Sequence, residues 1–337
     1  MVKNAQGVID NIPGEGALAY TAEYSKREFS FTQEQADTII DKFFEGKVPP
    51  PSDAVKKAEV LLGATGSGKS YEAGLRYEEM DEEQREGTIF VSYDENGAIF
   101  AIDEYVKDLQ DNVPDFEDEH IPVDGETLDV RTELWDDYRQ FSQYVRTGIL
   151  KRALSENYNL VVDTTSSSMG TTYLIKALRD LDYKQIKVTG TFSPFPIAVK
   201  RLRDRVRPTS NEEIVNKRIG DPSKNLGALN MIEPLMQAAD IFEYRYNPNN
   251  NEPSKVAFSF NTIEDTEDVD VAVIQQIAQD LENDADLMFE FIQDKGLKEI
   301  GNYNPKDPDN WIDQSLKGLD GLFIQAQEGP KFNDPGL

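Results

Sequence analysis

The fold is decided by Glu59-Val60-Leu61-Leu62 running into Gly63-Ala64-Thr65-Gly66-Ser67-Gly68-Lys69-Ser70. The first four residues form a short apolar strand. Gly63 and Gly68 then bracket four residues and are followed by Lys69 and Ser70. Glycines at these places let the backbone turn its N–H groups toward phosphate oxygens. A helix opening at Lys69 adds its positive end to the same spot. Lys69 is expected to reach the β- and γ-phosphates of ATP or GTP, and Ser70 to hold Mg²⁺. All eight residues, Gly63, Ala64, Thr65, Gly66, Ser67, Gly68, Lys69 and Ser70, are candidates for the phosphate cradle.

Working outward, strand and helix signals alternate. Thr88 to Val91 is a second apolar strand, Leu160-Val161-Val162 a third and Ile186 to Phe192 a fourth. Helices are expected over about 98–109, 131–156, 170–181, 195–206 and 226–239. Residues 241–246 and 256–260 read as closing strands. This alternation predicts an α/β fold, a P-loop NTPase of the kinase type with a parallel sheet flanked by helices. Residues 111–130 are acidic and contain two prolines, which predicts an insertion or loop.

Before the sheet, residues 1 to about 28 read as a loosely held polar arm. Thr32 and Gln35 then form a capping box ahead of Ala36, Ile39, Ile40, Phe43 and Phe44 at helical spacing. Gly46 ends that helix, and Pro49-Pro50-Pro51 makes a stiff linker. After residue 262 the chain turns acidic, with a helix expected over 269–293 and a tail rich in Pro, Asn and Asp. The expected organisation is an N-terminal arm and helix over 1–50, a kinase domain over 51–262 and an acidic C-terminal extension over 263–337.

Composition narrows the function. The 337 residues carry 63 Asp and Glu against 35 Lys and Arg, a net charge of −28. Nucleic acid is a poor partner for such a surface as a whole. With no Cys and one His (His120), thiolate or His-cluster metal chemistry is excluded and a His-based triad disfavoured. No apolar run approaches the roughly 18 residues of a membrane helix, and the first ten residues lack a signal-type apolar core. A cytoplasmic protein is expected.

Three further stretches carry candidate chemistry. The second strand ends at Ser92-Tyr93-Asp94-Glu95. An acid at this place can take the proton of an acceptor hydroxyl, with Asp94 the first choice and Glu95 the second. The third strand ends at Val162-Asp163-Thr164-Thr165. Asp163 suits Mg²⁺ through water or an acceptor hydroxyl. Thr164 stands where motor-type ATPases usually keep a glutamate, which favours transfer to an acceptor over hydrolysis. The densest basic cluster is Lys200-Arg201-Leu202-Arg203-Asp204-Arg205-Val206-Arg207, where Arg201 and Arg205 share a helix face, as do Arg203 and Arg207. One or two of these arginines are expected to neutralise charge on a transferring phosphate.

The order of these motifs over residues 30 to 248 resembles the zeta toxin family of P-loop kinases. The resemblance runs through helix 31–44, the strand and loop Val60 to Ser70, Tyr93-Asp94-Glu95, the helical Arg139 to Leu154 and Asn157 to Thr165. It continues through Ala198, Arg201 and Arg205, Arg207-Pro208-Thr209 and Ala239 to Tyr246. It implies an ATP-dependent kinase acting on the 3′-hydroxyl of the amino sugar in UDP-N-acetylglucosamine. Carried over by position, Lys69 and Ser70 bind phosphate and Mg²⁺, and Asp94 is the base. Asp163 and Thr165 contact the acceptor, with Glu95 and Arg201 nearby, and Arg205 and Arg207 clamp the phosphate. An antitoxin or regulatory protein is the implied partner. Ser166, Ser167 and Ser168 stand where the family often has a substrate-contacting Arg. Another acceptor, such as a nucleoside, other metabolite or polynucleotide, and a nucleotide-binding protein without catalysis are the alternative readings.

Overall fold

A computed structural model of the chain describes residues 5–12, 16–21, 28–64, 66–92, 121–123, 126–128, 139–164, 170–204, 232–248 and 254–294. The order begins α1 (Ala5–Asp10), β1 (Ala19–Thr21), β2 (Glu28–Ser30) and α2 (Gln33–Phe44). It continues with β3 (Lys57–Gly63), α3 (Lys69–Glu79), α4 (Glu82–Glu86), β4 (Thr88–Val91), β5 (Ile121–Val123) and β6 (Glu126–Leu128). Then come α5 (Arg139–Ser155), β7 (Asn159–Thr164), α6 (Gly170–Asp180), β8 (Gln185–Phe192) and α7 (Phe195–Asp204). The described chain closes with α8 (Ile232–Ala238), β9 (Ile241–Tyr246), β10 (Lys255–Asn261), β11 (Thr266–Val269) and α9 (Val271–Asp294).

The central sheet has the order β11-β10-β9-β8-β3-β7-β4. β3, which feeds the glycine loop, lies between β8 and β7 and runs parallel to both. β9 and β4 continue the parallel part on either side. The sheet is not wholly parallel as expected, because β10 and β11 pair antiparallel at one edge. The four-residue turn at 262–265 joins β10 to β11 without a crossover helix, and such a short connection permits only antiparallel pairing.

One face of the sheet is apolar. Ala58, Val60 and Leu62 of β3 pair in register with Leu160 and Val162 of β7 and with Ile186 and Val188 of β8. Phe242, Tyr244 and Tyr246 extend this face on β9. Val145, Ile149, Ala153, Leu174, Ile175 and Leu178 from α5 and α6 join the same core. Tyr244 lies over Gly190, where a Cβ would come 2.5 Å from its ring. The ring therefore needs glycine beneath it. Burial drives the Tyr244 and Tyr183 hydroxyls well above the usual phenol range.

The other face carries charge. Glu59, Lys187, Glu243 and Arg245 project there, and α3 lays Glu72 and Arg76 over them. Arg76 pairs with Glu59 at 3.2 Å and Glu243 at 3.4 Å, and Lys187 meets Glu243 at 2.8 Å. Thr189 Oγ1 donates to Glu59 at 2.7 Å. Three acids and three bases thus neutralise one another beneath the helix that begins at Lys69.

Two expectations at the chain's ends are corrected. The arm over 1–28 is not loosely held throughout. Ile9 and Ile12 are buried in the main core, α1 packs on α5 and α6, and β1 pairs with β2. Two apolar side chains, one on a short helix and one just past it, supply enough burial to dock an otherwise polar segment. The acidic segment after 262 is not separate from the sheet. β11 adds to its edge, and Ile274, Ile277 and Leu281 of α9 enter the same core as Phe258 and Phe260. The helix begins at Val271 because Asp270 caps it, accepting from Val273 N at 3.1 Å. Within the acidic stretch read as a loop, β5 and β6 form an antiparallel pair. The capping box at Thr32 and Gln35 and the turn at Gly46 (φ 70°) are present as expected. The helix expected over 98–109 lies outside the described residues. No helix among the described residues is long and apolar enough to cross a membrane.

Candidate phosphate-binding site

Crevices at the carboxyl ends of parallel strands are where doubly wound sheets bind ligands, and the glycine loop sits at that edge. Gly63, Gly66 and Gly68 have φ of 151°, 84° and 104°. A Cβ at Gly66 would lie 2.8 Å from the Ala198 carbonyl oxygen, and one at Gly63 would lie 2.5 Å from that of Thr191. The sequence needs glycine at these points for conformation and for space. Gly68, left-handed, is the N-cap of α3 and offers no side chain to its open N–H groups. Those groups are left for a ligand.

Lys69 is buried, and its Nζ donates to Gly63 O at 2.8 Å and Ala64 O at 3.0 Å. The ammonium is therefore folded onto the loop that brackets it. Ser70 follows in the first turn of α3. Ser67 Oγ is 2.8 Å from Thr191 Oγ1, and Thr191 Oγ1 donates to Leu62 O at 3.2 Å.

Asp163 and Thr164 end β7, in register with Leu61 and Leu62 of β3. They stand one strand over from the loop. Arg146, reaching from α5, donates to the Asp163 carbonyl at 3.4 Å. β4 ends two residues short of β7, Val91 facing Val162. Asp94, Glu95, Thr165, Arg205 and Arg207, together with Thr65 of the loop, lie outside the described residues.

Arg201 was expected at the acceptor. Its described contacts are with the loop's own support. Nη1 donates to Gly66 O at 3.1 Å and Ser193 Oγ at 2.9 Å, and Nη2 donates to Asn247 Oδ1 at 2.7 Å. Asn247 Nδ2 in turn donates to Ser67 O at 3.3 Å. The backbone of Asn247 is fixed too, since its N–H bonds Phe192 O at 2.8 Å and its carbonyl accepts from Ser193 Oγ at 2.7 Å. Sequence reasoning missed Thr191, Ser193 and Asn247. Their signal was position alone, as each is a polar residue at or just past the carboxyl end of β8, beside β3, or of β9, the next strand over.

Glu72, one turn into α3, was also missed. It is fully buried, with Ser254 Oγ hydrogen-bonded to one carboxylate oxygen and Arg245 at 3.7 Å from the other. Among the described residues no cluster of three or more acidic or His side chains could hold a metal alone. Ser70 and Asp163 fit the hard oxygen donors that Mg²⁺ uses when nucleotide phosphates complete its shell.

The fold and the loop define a P-loop domain with a mostly parallel, kinase-type sheet. Its chain course is similar to that in a structure of the PezAT chromosomal toxin–antitoxin system of Streptococcus pneumoniae. That match spans 87% of this chain and 98% of the other, at 11% identity and a TM-score of 0.46. It is also similar to the AvrRxo1-ORF1:-ORF2 structure with ATP, over 94% and 98% of the two chains, at 11% identity and a TM-score of 0.49. The same complex with sulphate ions matches over 94% and 98%, at 10% identity and a TM-score of 0.47. No protein-family profile matches the chain, and no curated protein sequence does.

Proposed function

We propose that the protein is an ATP-dependent kinase of the zeta-toxin type, passing the γ-phosphoryl group to a hydroxyl of a UDP-amino sugar such as UDP-N-acetylglucosamine. The observation that carries the reading is the glycine loop at the carboxyl edge of the sheet. Three of its glycines take positive φ, and Lys69 is buried against it. In this reading Lys69 exchanges its carbonyl partners for β- and γ-phosphate oxygens. Asp94, or Glu95 beside it, takes the acceptor's proton as the acceptor oxygen bonds to the γ-phosphorus and the β–γ bridge breaks. Asp163 and Thr165 orient the acceptor, and Arg205 and Arg207 neutralise the moving charge. Mg²⁺, held by Ser70 and Asp163 with the nucleotide, would supply charge neutralisation to the phosphates. The substitution-like position of Thr164 after Asp163 favours transfer over hydrolysis. The implied protein partner, an antitoxin or regulator, belongs to the same resemblance.

A mass-spectrometric acceptor screen tests the reading. The protein is incubated with Mg²⁺-ATP and a panel of UDP-sugars, nucleosides and short oligonucleotides, beside Lys69→Ala. Phosphorylated UDP-N-acetylglucosamine, absent with the variant, is expected. A different phosphorylated acceptor would keep the kinase and discard the sugar nucleotide. ATP binding without any product would leave a nucleotide-binding protein.

A further inference from the structure

We infer that Arg201 and Asn247 are positioning residues that pre-form the phosphate cradle, tying back the Gly66 and Ser67 carbonyls so that the turn is closed and the Gly68 amide faces the ligand. The inference rests on the nucleotide-binding part of the proposal above, not on the identity of the acceptor.

The argument starts from peptide geometry. A trans peptide is planar, so its C=O and the following N–H point in opposite directions. Asn247 Nδ2 holds Ser67 O at 3.3 Å. Fixing that carbonyl away from the loop's concave side turns the Gly68 N–H toward it. Arg201 Nη1 holds Gly66 O at 3.1 Å. The N–H of that same peptide, on Ser67, is taken up by Ala64 O at 3.2 Å, which closes the turn and leaves the Gly68 N–H as the amide that the clamp presents. The Gly66 and Ser67 carbonyls, which would repel phosphate if they turned inward, are thus tied back.

The clamp is itself held. Asn247 is 4% exposed and uses both backbone groups on β8 and its immediate extension, Phe192 and Ser193. Its Oδ1 accepts from Arg201, which fixes which way the amide faces and leaves Nδ2 for the loop. Arg201 spans three acceptors, Gly66 O, Ser193 Oγ and Asn247 Oδ1, from one planar guanidinium. Lysine has no such fork. The clamp therefore joins three segments far apart in sequence, the loop, α7 and the end of β9. Left-handed glycines give the loop freedom, and the clamp removes it before ligand arrives. Pre-organisation of this kind raises affinity by lowering the ordering cost of binding.

The prediction is specific to phosphate. Dissociation constants for Mg²⁺-ATP and for inorganic tripolyphosphate are measured by calorimetry on the full chain, for wild type, Asn247→Asp and Arg201→Lys. Thermal unfolding is followed in parallel. Asn247→Asp keeps the size and the acceptor for Arg201 but replaces the donor to Ser67 O with a carboxylate oxygen. Both ligands are expected to weaken by a similar factor, about 10- to 100-fold, as for loss of a hydrogen bond that orders a charged-ligand site. The unfolding midpoint is expected to stay within a few degrees. Wild-type affinities in either folded variant would overturn the inference. So would a loss confined to ATP, since that would place the residues at the base or sugar. Should Asn247→Asp not fold, Arg201→Lys reads the same outcomes. A wild-type chain that binds neither ligand would overturn the nucleotide site and the clamp together, whereas ATP binding without transfer would touch only the kinase reading.

Discussion

Replacing Arg76 with alanine tests whether the charged face under α3 is a dry, structural layer. Arg76 is 12% exposed, as is its partner Glu59. At 3.2 Å and an effective dielectric of 20, each ion pair has a gross attraction of about 5 kcal/mol, most of it offset by desolvation. Burial acts against the charge on Arg76, but Glu59 and Glu243 outweigh it and hold its pKa above the ordinary value. Removal leaves the acids unequally served. Glu243 keeps Lys187 at 2.8 Å and Arg245 at 2.9 Å. Glu59 keeps only Lys187 at 3.7 Å and the Thr189 hydroxyl among its described partners. A buried pair broken on one side costs roughly 3–5 kcal/mol. With Glu243 still neutralised, the expected loss is about 2–4 kcal/mol. Urea unfolding should show a lower midpoint at unchanged slope, and the loss should persist in added salt because a buried pair is poorly screened. Adding Glu59→Gln should recover part of it by removing the stranded charge. A loss under about 1 kcal/mol that vanishes with salt would refute the argument, since that is how an exposed pair behaves.

Other expectations follow from single observations. Burial raises the Glu243 carboxyl, but Lys187 and Arg245 outweigh it and hold its pKa below the ordinary 4.5. Its stabilisation should be present above the unfolded value and be lost as pH falls through the lower folded value. In Glu243→Gln that acid limb of the stability–pH curve should flatten, and an unchanged limb would count against the assignment. Gly66→Ala puts a Cβ 2.8 Å from Ala198 O at φ 84°, so ATP affinity should fall by about tenfold or more in calorimetry, with an unaffected affinity arguing against the loop geometry. Ile9→Ala removes a side chain 5% exposed in the main core and should cost about 2–4 kcal/mol in urea unfolding, whereas a neutral result would return the N-terminal segment to a loose arm.

The extended groove formed by α1, α2 and α5 stands apart from this chemistry. It has a volume of about 620 Å³ and is lined by Asp37, Asp41, Tyr144 and Lys151 among others. Its Arg152 is committed to Asp41 at 2.6 Å and Glu156 at 2.9 Å.

The local sequence determined a good deal. Gly63 to Ser70 after an apolar run could be read directly, because a phosphate loop needs glycine at fixed offsets and both neighbours are local. The Thr32 capping box and the helix behind it were legible for the same reason, since caps and helix periodicity involve residues a few positions apart. The parallel strands β3, β4 and β7 announced themselves through buried apolar runs. Tertiary structure decided the rest. Strands β8 and β9 alternate polar and apolar, as in Ile241-Phe242-Glu243-Tyr244-Arg245-Tyr246, which locally suggests a sheet with one wet face. Only the packing of α3 reveals that Glu59, Lys187, Glu243 and Arg245 are covered and paired, because their partners lie up to 173 residues away in the chain, counted from Glu72 to Arg245. The same distance hid Asn247, an ordinary residue in sequence whose meaning comes from a hydrogen bond to Ser67 across 180 positions. Ile9 and Ile12 were lost in polar surroundings because burial depends on what a segment meets. Sequence thus fixes what is local in the chain, and folding assigns roles to groups that only space brings together.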